Sequence, residues 1–298
     1  MTYLPLDNPE NKAELIRIID LVTEHRLEES KKKYPDDHMG WEGSYIRDMM
    51  HRPFLIMQRI LKERLDNNTV TEHNLKSTLL YYEEHLLKED KRRLIKEVVA
   101  TRSIFNVIHF TQTKNLDDIL KNGIVSRKKL LEGGKNFIFN DHLRLDEKID
   151  YSCFSVEFPN VEMLRALRYR TNDASWAILV FSSEILYDYD CLFYYTNAAS
   201  NEVRNKDIIE FEGASALDKL FTWSHEERHH YLCNNDPTDV QSEVMIKDDV
   251  SIDYLRFCSI NDRDDFLRFQ VAYPNIEFQY APDRTGLFNT RKAYSYGY

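Results

Sequence analysis

The chain has 298 residues, 42% hydrophobic and 12% aromatic, with only 8 Gly and 8 Pro; this argues against disordered, collagen-like or linker-rich classes and leaves room for one large or two smaller cored domains. The formal net charge of -10 argues against duplex DNA binding by general phosphate neutralisation, so any nucleic-acid contact requires a local basic patch. No apolar run reaches membrane-spanning length, no signal pattern opens the chain, and Cys153, Cys191, Cys233 and Cys258 form no CxxC pair, so the expectation is a cytoplasmic protein with reduced thiols and no membrane association.

Residues 1–103 read as a helical domain. Leu15, Ile18, Ile19 and Val22 recur at helical spacing behind Asn8-Pro9. Tyr34 to Asp37 reads as a turn and Met39 to Gly43 as a loop. Pro53 is placed to open a second helix carrying Leu55, Ile56, Ile60, Leu61 and Leu65. Leu75, Leu79, Leu80, Tyr82 and Leu86 mark a third helix behind Thr71, and Leu94, Ile95, Val98 and Val99 a fourth. The run Lys88 to Lys96 mixes both charge signs, as a solvated helix face does.

The texture changes near residue 103. Ile104–Phe110, Ser152–Phe158, Ala177–Phe181, Leu192–Tyr195, Val244–Ile246 and Ser251–Ser259 are strand candidates in a mixed α+β domain spanning 104–298. His109 ends the first of these, where a Val or Ile fits an apolar strand better. Thr113 or Asn115 is placed to cap the following helix, whose apolar face is Leu116, Ile119 and Leu120. Asn122-Gly123 then ends that helix in a left-handed turn.

Two further stretches carry chemistry. Arg144 sits between Leu143 and Leu145; facing inward, it requires an anionic partner, either Asp146 or a pyrophosphate held by both arms of the guanidinium. Gln241 and Glu243 point the same way if their segment is extended, at the mouth of the apolar run Val244–Ile246. One carboxylate facing a cleft can stabilise the positive charge that develops when a glycosidic bond breaks.

The order His109-x-Thr111, Asn115-Leu116, Ile119-Leu120, Gly123-Ile124, then Arg144-Leu145-Asp146, then Phe158-Pro159-Asn160 with Met163, then Trp176 with Asn197-Ala198-Ala199, then Gln241-x-Glu243 resembles the DarT family over residues 104–260. DarT proteins are toxins that transfer ADP-ribose from NAD to a base of single-stranded DNA. The resemblance implies an ADP-ribosyltransferase fold, two packed small sheets with flanking helices, and NAD in the cleft between them. By resemblance, His109, Thr111, Asn115, Gly123 and Arg144 bind NAD, with Arg144 on the phosphates. Glu243 is the catalytic glutamate, assisted by Arg144, and Gln241 faces the acceptor. The segment before Glu243 is the expected acceptor surface, with Trp223, Arg228, His230 and Tyr231 supplying cations and aromatic faces to an unstacked strand. Arg127, Lys128 and Lys129 form a second basic candidate. A thymine or guanine acceptor, a toxin or phage-defence role and a macrodomain antitoxin on a separate chain are further implications.

Three rival readings stand beside this one. An ADP-ribosyltransferase acting on protein or RNA would share the cleft. His225-Glu226-x-x-His229 matches the zinc-hydrolase signature, although Glu227 and Arg228 fit a packed zinc helix poorly and no third ligand is evident; the expectation is no metal. A non-catalytic nucleotide-binding module is the third, disfavoured by the presence of Glu243, Arg144 and His109 together.

Overall fold

The computed structural model describes residues 8–33, 40–133, 138, 148–171, 175–223 and 228–295, with the side chains of 40–49 and Glu72 left aside. It divides into two compact units, Met1–Asp90 and Lys91–Tyr298. The first contains α1 (Pro9–Lys33), α2 (Gly40–Asp66), α3 (Glu72–His85) and the first turn of α4 (Leu87–Arg102). Leu15 and Ile19 of α1, two of the residues read at helical spacing, pack on Leu61 and Leu65 of α2 and on Val70 and Leu75. A capping box starts α3, with the Thr71 hydroxyl accepting from the Asn74 amide while Asn74 bonds back to the Thr71 amide. Asp90 is buried and accepts from both Nη atoms of Arg17, at 2.9 and 2.6 Å, and from the Tyr82 hydroxyl at 2.5 Å. One expectation fails here. Residues 40–43 are helical, not a loop, and Pro53 lies inside α2, not at its start. Proline removes a single intrahelical bond, and the helical turns on both sides carry α2 through it.

The second unit is mixed α+β. Among the described residues its strands are β1 (Asn106–Gln112), β2 (Tyr151–Val156), β3 (Trp176–Ser182), β4 (Cys191–Tyr194), β5 (Glu243–Lys247), β6 (Leu255–Ile260) and β7 (Phe278–Tyr280), joined in the order β4-β5-β2-β1-β3-β6-β7. Its helices are α5 (Leu116–Asn122), α6 (Arg127–Glu132), α7 (Val161–Arg170), α8 (Ile185–Asp188), α9 (Gly213–Thr222), α10 (Arg263–Ala272) and α11 (Arg291–Ser295). Strand alternation sorts the core into two layers. Val107, Ala177, Leu179 and Phe181 face a layer closed by Leu116, Leu120, Leu217, Leu220 and Phe269, together with Ile95 and Val99 of α4. Ile108, Ile178 and Val180 face the opposite layer, closed by Leu164 and Leu167 of α7 and by Leu287 and Phe288. With both faces covered, β3 reads as a continuous apolar run.

The expected α+β class holds, with one qualification. The two small sheets are joined edge to edge, through β1 and β2, into one seven-stranded order. That junction is narrow. β1 pairs with β3 at seven positions but with β2 only at Val107↔Val156 and Ile108↔Ser155. Beyond Ile108 each strand stays with its own half of the sheet, and a cleft opens in the gap between them. Strand β1 also runs three residues past His109, because Phe110, Thr111 and Gln112 pair with Ile178, Ala177 and Trp176. His109 is therefore a mid-strand residue at the point where β2 departs. No helix among the described residues is long and apolar enough to cross a membrane.

Candidate active site

The cleft has a volume of about 220 Å³. Its walls are Ile108, His109 and Phe110 of β1, Tyr151 to Ser155 of β2, and Glu243 at the start of β5, with Asn115, Arg127, Asn160, Met163, Asn197 and Ala199 from the loops and helices around them. Residues from four of the stretches singled out in the sequence thus contribute to one hollow, and the Arg144 stretch lies outside the described residues.

His109 replaces a missing ladder bond. Its Nδ1 lies 2.8 Å from the carbonyl oxygen of Cys153, across the gap where β1 and β2 part. A carbonyl only accepts, so Nδ1 carries the proton. Burial pushes the imidazole below its ordinary value of 6.5, against the opposing effect of the Cys153 bond, so the ring is neutral at pH 7. Its Nε2 then carries a lone pair and acts as an acceptor. The ring also packs on Phe154, with centroids 5.3 Å apart.

Glu243 is half-buried and opens β5 opposite Tyr194 of β4. Its Oε2 accepts from the backbone N–H of Ala198 at 3.2 Å, in the Asn197-Ala198-Ala199 segment that follows β4. That bond fixes the carboxylate against the cleft wall. Asn115 does not cap α5 as expected. Its Nδ2 donates to the Thr111 hydroxyl and to the Ile138 carbonyl, both at 3.0 Å, and its Oδ1 accepts from the Ile138 amide at 3.0 Å. This clamp uses both Nδ2 hydrogens and one lone pair of Oδ1, and the side chain makes no bond to the helix end. Thr113, the other candidate cap, instead donates to Asp265 at 2.6 Å.

The remaining sequence-derived residues are placed as follows. Thr111 is buried behind Asn115 and does not line the cleft. Gly123 does not line the cleft and ends α5 in a conformation with φ +79° and ψ -175° that favours glycine; a Cβ there would meet the Val250 carbonyl oxygen at 2.3 Å. Gln241 is in a turn and not in the strand, because Asp239 accepts from its amide at 2.8 Å; its Nε2 donates to Glu162 of α7 at 3.0 Å. Arg228 donates to the Thr238 hydroxyl at 2.9 Å and to the Asp236 carbonyl at 2.8 Å. Trp223 packs on Tyr195 at 4.2 Å, and the Nζ of Lys219 sits 4.4 Å from the same Tyr195 ring. His229 and His230 both contact the ring of Tyr231. Arg144, Asp146, His225 and Glu226 lie outside the described residues.

Arg127, read from the sequence as part of a second basic candidate with Lys128 and Lys129, lines the cleft; among the described lining residues no other Lys or Arg occurs. The only hint in the sequence was its place at the head of Arg127-Lys128-Lys129, next to Val125, which also lines the cleft. A carboxylate, a neutral imidazole acceptor, a cation and apolar walls from Ile108, Phe110, Val125, Leu130 and Leu167 match the parts of a dinucleotide: ribose hydroxyls, phosphates and flat rings. No cluster of three His, Cys, Asp or Glu arranged for a metal ion occurs among the described residues.

A family model described as "ssDNA thymidine ADP-ribosyltransferase, DarT" matches residues 108–268. No curated protein sequence matches the chain. Among solved structures, the chain is similar to Thermosipho africanus DarTG in complex with ADP-ribose, at 16% identity over 61% of this chain and 50% of that one, with a TM-score of 0.43; the chain thus spans half of that protein's length. It is also similar to Thermus sp. 2.9 DarT in complex with ADP-ribosylated ssDNA, at 12% identity, 59% and 93% coverage and a TM-score of 0.40. The Thermus sp. 2.9 DarT complex with NAD+ matches at 12% identity, 58% and 93% coverage and a TM-score of 0.37.

Proposed function

We propose that this chain, which belongs to the DarT family of single-stranded-DNA thymidine ADP-ribosyltransferases, binds NAD in the cleft between β1 and β2 and transfers its ADP-ribose to a thymine base. The observation that carries this reading is the meeting of Glu243, His109 and Arg127 in one cleft inside the family-matched segment.

NAD supplies an ADP-ribosyl group whose bond to nicotinamide can be broken heterolytically. Glu243 places negative charge beside the anomeric carbon as positive charge grows there, which lowers the barrier. The Ala198 N–H keeps the carboxylate in place during that step. Glu243 then takes the proton from the attacking ring nitrogen of the base. His109, neutral and oriented by the Cys153 carbonyl, offers Nε2 to a ribose hydroxyl. Arg127, and Arg144 by family resemblance, hold the phosphates. Asn115 and Thr111 act one step back, by holding Ile138 at the cleft edge.

On the acceptor side, Gln241 is next to the cleft and Trp223 shares Tyr195 with Lys219, with Lys206 donating to the Tyr195 hydroxyl at 3.0 Å. Tyr195 is itself buried, so half-buried Trp223 and the cations of Lys206 and Lys219 are what this surface offers an unstacked strand, and they give a chain of net charge -10 a local basic patch. His230 and Tyr231 are further aromatic candidates on this side, whereas the Arg228 guanidinium is engaged by the Thr238 hydroxyl and the carbonyls of Cys233 and Asp236. The family resemblance supports a toxin or phage-defence role in the cytoplasm and a macrodomain antitoxin on a separate chain.

The test is mass spectrometry of thymine-containing single-stranded oligonucleotides incubated with NAD and the protein. One thymine is expected to gain one ADP-ribose, and Glu243→Gln is expected to lower the rate by about 10²–10³ or more, the scale for loss of a charge-stabilising group. Transfer to protein alone, to guanine alone or to no acceptor refutes the assignment.

A further inference from the structure

Residues beyond the family-matched segment reach the borders of this cleft. Leu287 and Phe288 are buried against Ile108 and α7, and α11 follows them directly. Two side chains of α11 point to two loops. Arg291 is only 7% exposed; its Nη1 donates to the Pro237 carbonyl at 2.6 Å and its Nη2 to the Thr238 carbonyl at 3.2 Å. Tyr294 packs on Phe158, with ring centroids 5.0 Å apart. The first loop runs from Pro237 through Gln241 to Glu243. The second runs from Phe158 to Asn160 and Met163, both of which line the cleft. Gln241 and Glu162 tie the two loops to each other at 3.0 Å. Arg228 grips the first loop through Thr238 and Asp236.

The chemistry of Arg291 is unusual for a surface helix. No carboxylate among the described residues accepts a hydrogen bond from it, and its buried Nε has no partner among them. Burial lowers its pKa from the ordinary guanidinium value, as expected for a cation held mainly by neutral carbonyls. A buried cation of this kind is a poor source of net stability, since an apolar side chain would avoid the desolvation cost. What a planar fork supplies is geometry: two donors at a fixed angle set two successive carbonyls of a loop that has no ladder partner.

We propose that α11 is a clasp for the acceptor side of the site and that Arg291 is a positioning residue, setting the loop that carries Gln241 into Glu243. This rests on the assignment of Gln241 and Glu243 made above. The clasp acts on the strand substrate more than on NAD: of the cleft lining it reaches only Asn160, Met163, Ser242 and Glu243 through the two loops, whereas the walls contributed by β1, β2 and α6 belong to neither loop.

The experiment compares full-length wild type, Arg291→Ala, Arg291→Lys and Tyr294→Leu. It reads oligonucleotide KM and kcat at saturating NAD, NAD affinity by titration calorimetry without oligonucleotide, and hydrogen–deuterium exchange of the peptide spanning 236–243. Arg291→Ala is expected to raise oligonucleotide KM tenfold or more while NAD affinity stays within twofold. Arg291→Lys, which keeps the charge and loses the fork, is expected to recover part of that loss, and both variants are expected to exchange faster over 236–243. If Arg291→Ala does not fold, Arg291→Lys and Tyr294→Leu carry the same readouts with smaller shifts. A lowered melting temperature with unchanged KM and unchanged exchange over 236–243 overturns the clasp and leaves the transferase assignment intact. Absence of transfer by the wild type overturns both.

Discussion

Gly123→Ala separates a structural role from a ligand-binding one at a position that the family resemblance assigns to NAD. Gly123 ends α5 by donating its N–H to the Ile119 carbonyl at 2.8 Å, then turns the chain with φ +79° and ψ -175°. That backbone region is nearly exclusive to glycine, and an L-residue there costs about 1–3 kcal/mol. The added methyl meets the Val250 carbonyl oxygen at 2.3 Å, and the obstruction is backbone, so it cannot swing aside. Relief requires the Ile124↔Val250 bridge to part, and its two hydrogen bonds, both 2.9 Å, lengthen or break. Each contributes about 1 kcal/mol net. The expected destabilisation is therefore about 3–5 kcal/mol, which for a unit of this size lowers the melting temperature by roughly 6–20 °C. Differential scanning calorimetry checks the stability, and titration with NAD at 10 °C checks the affinity. NAD affinity of the folded protein is expected to stay within a few-fold. A variant with wild-type melting temperature and lost NAD binding refutes the reasoning and returns Gly123 to the ligand.

Arg127→Ala is expected to weaken NAD binding by about 1.5–3 kcal/mol, the value of a hydrogen bond to a charged group, with unchanged melting temperature; equal affinities by calorimetry remove Arg127 from the site. The folded pKa of His109 lies below its unfolded value near 6.5, so its stabilising contribution is complete above pH 6.5 and is lost as pH falls through the depressed folded value. Unfolding midpoints measured from pH 7.5 to pH 5 are thus expected to fall more steeply for the wild type than for His109→Leu, and parallel curves exclude this linkage. Asp90→Ala leaves the Arg17 guanidinium and the Tyr82 hydroxyl without their shared acceptor and is expected to cost about 2–4 kcal/mol, less than a fully buried pair because Arg17 keeps some solvent. Circular dichroism during thermal unfolding measures it, and an unchanged first transition refutes the role of this pair.

Much of the second unit was legible because its strands are short apolar runs with breakers between them. Ala177–Phe181 and Val244–Ile246 fall inside β3 and β5 as read. β7 was not read, because three residues with one buried side chain leave no periodic signal. The start of α2 was misplaced by a rule that treats proline as a beginning, although Pro53 sits in mid-helix. Asn115 was read as a cap from its position alone, yet Ile138, twenty-three residues later, takes its side chain. Gln241 was paired with Glu243 on a strand face, and the turn made by Asp239 sends it to Glu162 instead.

Local order along the chain singled out a histidine in an apolar strand, a glutamate at a strand mouth, and a glycine that ends a helix in a left-handed turn. These are legible because propensity, periodicity and chirality act over a few neighbouring residues. Tertiary structure alone decided that β1 and β2 part after two pairs, that the Cys153 carbonyl sets the tautomer of His109, that Arg127 faces the cleft, and that Arg291 holds the loop before Glu243. Each depends on where two segments separated by about twenty to well over fifty residues come to lie, and no short-range pattern encodes the donor–acceptor geometry that such a meeting creates.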